Sequence, residues 1–232
     1  MTQPYRLHYA PDNASLVIRL ALLELEQPFD TILVDRTSRA QDGAAYRRVN
    51  PVGRIPALET PQGPIFETAA ILLWLADRHG GLMPHPDAAE RGAALSWLFF
   101  LSNTLHAELR MLFYAKTYAG DAAAPALRGR LHGSLAGHLA LLDRTAGGKP
   151  GFLNSPDVSA CDLYLCAMLR WCALYPIGAT GWFALRDYPA LHDLAVRLEA
   201  RDNARSAAAA EGLGPTPFSA PRPATPPEGS AT

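Results

Sequence analysis

The chain has 232 residues, 49% of them hydrophobic, and sets 21 basic against 22 acidic side chains for a formal charge of −1. That balance gives no electrostatic pull toward nucleic acid or an anionic membrane. No apolar run approaches the roughly 20 residues that a membrane-spanning helix needs, and the opening MTQPYRLHYA lacks an apolar leader core, so a cytoplasmic protein of one or two small domains is expected.

Tyr5 to Tyr9 alternates weakly in polarity and is predicted to be a strand. Asp12-Asn13 offers side chains to cap a helix running through LVIRLALLELE, residues 16–26. Phe29 to Val34 reads as a second strand. Ala57 to Glu59 and Pro64 to Phe66 are short strands around the turn signal Gln62-Gly63. Thr68 to His79 carries apolar residues at 71, 72, 75 and 76 and meets Gly80-Gly81, so a helix is expected to stop there. The resulting order, βαβαββα, points to an α/β unit over residues 1–80 with a mixed sheet.

Two prolines in Leu82-Met83-Pro84-His85-Pro86 interrupt any helix and mark a linker over residues 81–88. From there to residue 213 the pattern is all helical. One helix is predicted from about Ala89 to Tyr118 and another from about Pro125 to Arg144. Ser159-Ala160-Cys161-Asp162 is a capping-box-like start for the helix DLYLCAMLRWCAL, residues 162–174. Asp187-Tyr188-Pro189 opens a last amphipathic helix over residues 190–202. Residues 214–232 are rich in Pro, Ser, Thr and Ala and poor in apolar side chains, so disorder is expected. The three cysteines, Cys161, Cys166 and Cys172, lack the paired C-x-x-C spacing of a zinc site; Cys161 and Cys166 read as buried thiols in an apolar helix. No metal site is expected.

The most informative stretch is Asn50 to Asp77, NPVGRIPALETPQGPIFETAAILLWLAD. The residue before a proline is pushed to extended geometry, so Ile55 would present its N–H and C=O to something other than a strand. A cis bond to Pro56 in a tight turn would expose them further. Glu67-Thr68 supplies a carboxylate, a hydroxyl and free N–H groups at a helix start. Together these groups suit one amino group and one carboxylate, as in an amino acid or small peptide.

The pattern Asn-Pro-X-Gly-X-Ile-Pro-Ala-Leu, a strand pair, then Glu-Thr-X-Ala-Ile resembles the glutathione-binding half of the glutathione S-transferase family, and the resemblance extends to Leu213. It implies a thioredoxin-like domain over residues 1–80 and an all-helical bundle over residues 89–213. The strings YAPDNASL, LSNTLHAEL, LRWCALY and YPALHDLAVRLEAR are similar to the bacterial beta class in particular. By that resemblance, Thr68 and Glu67 hold the γ-glutamyl end of glutathione, Ile55 bonds its cysteinyl backbone with Pro56 cis, and Arg54 or Arg36 meets the glycine carboxylate. The family is typically dimeric, so a homodimer is implied, with the Asn103 region near the partner's glutathione. Glutathione enters as co-substrate, and no further cofactor is expected.

A free thiol has a pKa near ~8.5. Lowering it by about two units takes roughly 2.7 kcal/mol of thiolate stabilisation. The first loop, running into a helix N-terminus, is a suitable place for that. Beta-class members carry a cysteine there; this chain has Ala14. Asn13, Ser15 and Tyr9 remain as donor candidates. Asn13 reads equally as a helix cap, Ser15 as a first-turn serine and Tyr9 as a core residue. His106 matches a histidine that beta-class members place near the sulfur. Ser102, His106, Leu109 and Phe113 share one helical strip that would line an acceptor site, with Tyr114 adding aromatic surface. The expected activity is attack of glutathione thiolate on small apolar electrophiles. A non-catalytic glutathione- or apolar-ligand-binding protein, and a glutathione-dependent disulfide or peroxide reductase, are the alternatives.

Overall fold

The computed structural model describes residues 4–228. Strand β1 (Tyr5–Tyr9), helix α1 (Ser15–Glu24) and strand β2 (Phe29–Leu33) form a β-α-β unit with β1 and β2 parallel. A short 3₁₀ turn (Ala40–Asp42) and helix α2 (Ala44–Arg47) lead to the antiparallel pair β3 (Ala57–Thr60) and β4 (Gly63–Phe66). The sheet order is β2-β1-β3-β4, with β1 antiparallel to β3. Leu7 and Leu58 face each other across β1 and β3 and are wholly buried, which places the sheet's core at its two inner strands. Helix α3 (Thr68–His79) follows and ends at Gly80, whose φ of 75° ends the helical backbone. The order read from the sequence, a mixed sheet with helices followed by a helical part, is the order observed.

The connection after α3 is pinned: Leu82 and Met83 are buried, and the Leu82 carbonyl accepts from the Ala160 N–H at 2.7 Å. Helix α4 (Arg91–Phe100) passes through one π-helical turn (Leu101–Leu105) into α5 (His106–Phe113). The chain then departs from the single helix expected to Tyr118. Tyr114 leaves helical geometry at φ −109°, ψ 35°, and α6 (Ala115–Gly147) breaks at Gly120, where φ is 72° and ψ 167°. Helix α7 (Ala160–Leu174) is buried on all sides from Ala160 to Cys172, as its apolar circumference requires. Its start is a capping box: Ser159 accepts from the Asp162 N–H and Asp162 accepts from the Ser159 N–H. All three cysteines lie on α7, fully buried, and burial pushes each thiol up.

Two further expectations are corrected. The last amphipathic stretch is two helices, α8 (Pro189–Glu199) and α9 (Asp202–Glu211), because Arg201 turns to extended geometry and pairs with Glu24 at 2.6 Å. Residues 214–228 are packed rather than disordered; 229–232 lie outside the described residues. Phe218 is 1% exposed, and its N–H and that of Ser219 donate to the Glu199 carboxylate. One aromatic anchor and a set of backbone bonds supply what the composition alone did not promise. No helix among the described residues is long and apolar enough to cross a membrane.

Candidate active site

A cleft of about 880 Å³ opens between the sheet unit and helices α5 and α7. One wall is the sheet unit's loops. Arg54, Ile55 and Pro56 line it, with the Ile55–Pro56 bond cis. The β3 ladder begins only at Ala57, so Ile55 carries its peptide groups outside the sheet. The Arg54 carbonyl is held by the Tyr46 hydroxyl and the Asn50 amide, each at 2.6 Å. Gly53, at φ 70°, completes the turn before them.

Glu67 and Thr68 sit where β4 meets α3. Glu67 caps the helix at φ 71°, ψ 120°, a sparsely populated conformation for a side chain with a Cβ and worth of order 1–3 kcal/mol in strain. Strain of this kind clusters at functional sites. Glu67 stays exposed while Thr68 is buried beside it. The first N–H groups of α3 have no intrahelical partner and carry the positive end of the helix dipole, a ready site for a carboxylate.

The first loop contributes Asp12, Asn13 and Ala14 to the cleft. The side-chain cap expected for α1 is not formed; the N-cap position is Ala14. Asn13 instead donates its amide to the Pro11 carbonyl at 2.7 Å and accepts from Arg36 at 2.9 Å. Arg36 also reaches the Tyr114 hydroxyl at 2.9 Å, so it spans the cleft. Asp12 is committed elsewhere: it takes a bidentate pair from Arg170 and a bond from Tyr175.

Ser15 and Tyr9 do not line the cleft, and both are corrections. Ser15 is fully buried, and its hydroxyl closes on Ala10 of its own loop, accepting at 3.3 Å and donating at 3.1 Å. Tyr9 ends β1 on the far side of the loop; Arg19 covers its ring at 4.8 Å and its hydroxyl donates to Glu228.

The opposite wall is aromatic. His106, Phe113 and Tyr114 line it, together with Ser102, Arg110, Met111, Tyr164, Trp171 and Tyr175. Leu109, placed on the same strip by helical spacing, is instead wholly buried. On α5, Ala107, Arg110 and Met111 lie on the side of His106 opposite to Leu109, and it is that side that faces the cleft. The His106 ring packs on Trp171 at 5.2 Å, and its Nδ1 is 2.7 Å from the Tyr164 hydroxyl. Its pKa is pulled down to about 4, first by desolvation and then by Arg110 and Arg54. His106 is therefore neutral at pH 7, and the cationic side chains that line the cleft are Arg36, Arg39, Arg54 and Arg110. The Tyr164 phenol is pushed up, chiefly by burial.

Trp171, which the sequence offers as aromatic surface but more readily as core, lines the cleft; Tyr164, on the same face of α7 at i−7, and Tyr175, just past the helix end, escaped the sequence reading. Among the described residues, no cluster of His, Cys, Asp and Glu has the makings of a metal site.

Residues 14–78 match the family model for the glutathione S-transferase N-terminal domain. A sphingomonad glutathione S-transferase solved in complex with glutathione is 32% identical, covers 90% of this chain and all of its own, and superposes with a TM-score of 0.75. The chain belongs to the glutathione S-transferase family. A beta-class glutathione S-transferase from Sphingomonas chungbukensis is 30% identical with the same coverage and a TM-score of 0.75. Glutathione S-transferase GstA of Escherichia coli O157:H7 is 28% identical over 90% of this chain and 99% of its own. About a tenth of this transferase-family chain thus has no counterpart in these relatives.

Proposed function

We propose that this glutathione S-transferase conjugates the thiolate of glutathione to small apolar electrophiles. The observation that carries the reading is Glu67 held at positive φ at the head of α3, inside a cleft whose other wall is aromatic. In this reading Glu67 pairs with the γ-glutamyl amino group, and Thr68 with the α3 N-terminus takes the α-carboxylate. Ile55 bonds the cysteinyl backbone in strand fashion, and Arg54 or Arg36 meets the glycine carboxylate. The thiolate lies at the start of α1, where Asn13 donates and the helix dipole favours negative charge. The protein's contribution is orientation and a stabilised nucleophile.

The electrophile rests against Phe113, Tyr114 and Met111, with neutral His106 held by Tyr164 as a polar edge. Residues 1–80 then form the glutathione-holding unit and residues 89–213 supply the acceptor wall, joined by 81–88. The protein acts in the cytoplasm as a homodimer, with exposed Val52 and Phe99 as apolar surface for pairing. Sedimentation as a monomer at micromolar concentration would count against the dimer.

Isothermal titration with glutathione, followed by the ultraviolet thiolate band across pH, tests the activity. Binding with a depressed thiol pKa is expected, and Asn13→Ala should raise that pKa. Binding with an ordinary thiol pKa makes this a glutathione-binding protein without turnover. An unchanged titration in the variant removes Asn13 from the mechanism.

A further inference from the structure

Behind the first loop lies a buried polar assembly that the reaction itself does not use. Arg170 of α7 is wholly buried and makes four hydrogen bonds. Two go to the Asp12 carboxylate, at 2.8 and 2.9 Å. The other two go to backbone carbonyls beyond the last helix, Pro217 at 3.1 Å and Arg222 at 2.9 Å. Asp12 also accepts from the Tyr175 hydroxyl at 2.7 Å. Its N–H donates to Glu211 at 2.8 Å, and Glu211 is paired in turn with Arg19 at 2.8 Å.

Asp12 has a φ of 54°, an uncommon conformation for a residue with a Cβ. It precedes Asn13 and Ala14, the residues that face the cleft at the start of α1. A buried guanidinium must have its donors met, and here half of its bonds come from residues 217–222. That segment is itself fixed at three points. Phe218 is buried, Glu199 takes the N–H groups of Phe218 and Ser219, and the Thr225 N–H donates to Gly212 at 2.8 Å. The segment crosses Gly212 so closely that a Cβ there would fall 2.0 Å from the Thr225 carbonyl.

We propose that residues 215–228 are a strap that positions the thiol-binding loop, acting through Arg170 on Asp12. The strap touches neither glutathione nor electrophile. It supplies acceptors for two of Arg170's donors, Arg170 fixes the Asp12 carboxylate, and Asp12 sets the turn that places Asn13 and the α1 N-terminus at the cleft. Its importance for thiol activation rests on the function proposed above; its hold on the loop does not.

The test is Phe218→Ala in the full chain, which removes the strap's apolar anchor and no residue of the cleft. Hydrogen exchange of the ligand-free protein is expected to rise at residues 213–228 and also at least about threefold at the Asp12–Leu16 amides, which lie more than two hundred residues away in sequence. With glutathione bound, the thiol pKa should rise and the KM for glutathione increase while the KM for the electrophile holds. A strap that only adds stability would lower the melting temperature and leave the thiol titration unmoved. Exchange confined to residues 213–228, or faster exchange at the loop with an unchanged thiol pKa, overturns the proposal. Ser219→Ala, which removes only the hydroxyl bond to Glu199, is the milder variant and must show the same pattern to a smaller degree. If wild type itself fails to bind glutathione, the proposed function falls, and the exchange at Asp12–Leu16 still decides whether the strap holds the loop.

Discussion

Arg170→Met tests the buried network behind the first loop at its centre. The substitution keeps much of the side-chain volume but deletes the guanidinium that pairs with Asp12 at 2.8 and 2.9 Å, where both side chains are 0% exposed. Asp12 would keep the Tyr175 hydroxyl and the carboxylate would otherwise be uncompensated, and the Pro217 and Arg222 carbonyls would lose their donor. Breaking a buried ion pair by removing one partner costs about 3–5 kcal/mol. Each orphaned carbonyl adds about 1–3 kcal/mol unless water reaches it, and residues 217–222 can reach water by peeling away. The expected loss is therefore about 3–5 kcal/mol. At about 2–4 °C per kcal/mol for a chain of this size, that lowers the melting temperature by about 6–20 °C. Denaturant unfolding and calorimetry would measure it. Adding Asp12→Asn to Arg170→Met removes the stranded charge and should recover a large part of the loss. A single variant within about 1 kcal/mol of wild type, or a double variant no better than the single, would refute the view that this pair is buried and mutually dependent.

Three further outcomes are expected. Glu67→Ala should weaken glutathione binding more than tenfold, about 1.4 kcal/mol, by calorimetry; a smaller loss contradicts its assignment to the γ-glutamyl amino group. His106 is neutral in the fold down to about pH 4, whereas the unfolded chain takes up that proton near ~6.5. Stability from this group is thus present above about pH 6.5 and lost as pH falls toward 4. Burial raises Glu211 to about 7 against the pull of Arg19, so its contribution runs the other way, present at acid pH and lost as pH rises through 7. The check is the difference between wild type and His106→Gln, which should shrink on acidification through that window. Ser159→Ala should cost about 1–2 kcal/mol through loss of the capping box, with the denaturant slope unchanged.

What the sequence made legible was local. Asn50 to Asp77 carries its geometry in short-range rules: a proline sets Ile55, Gly53 sets the turn, and a Glu-Thr pair heads a helix. Each of those residues lines the cleft. What was not legible depended on distant partners. Ser15 and Tyr9 are within a few residues of Asn13, and spacing alone did not say that Ser15 closes on Ala10 or that Tyr9 faces Glu228. Leu109 shares a helical strip with His106 and Phe113, and spacing alone did not say that the neighbouring elements cover the Leu109 edge of that strip and leave the Ala107, Arg110 and Met111 side open. The packing of residues 214–228 turns on one phenylalanine and on backbone carbonyls, and composition weighs neither.

The placement of the three cysteines has a consequence if the proposed conjugation of electrophiles holds. Alkylating agents select thiolates that they can reach, and Cys161, Cys166 and Cys172 offer neither exposure nor ionisation. With alanine at position 14, a thiol bound in the cleft has no protein thiol competing beside it. Under the proposed conjugation, that arrangement protects the catalyst from self-inactivation: an arriving electrophile would be consumed by the diffusible thiol, and the polypeptide would survive to bind the next one.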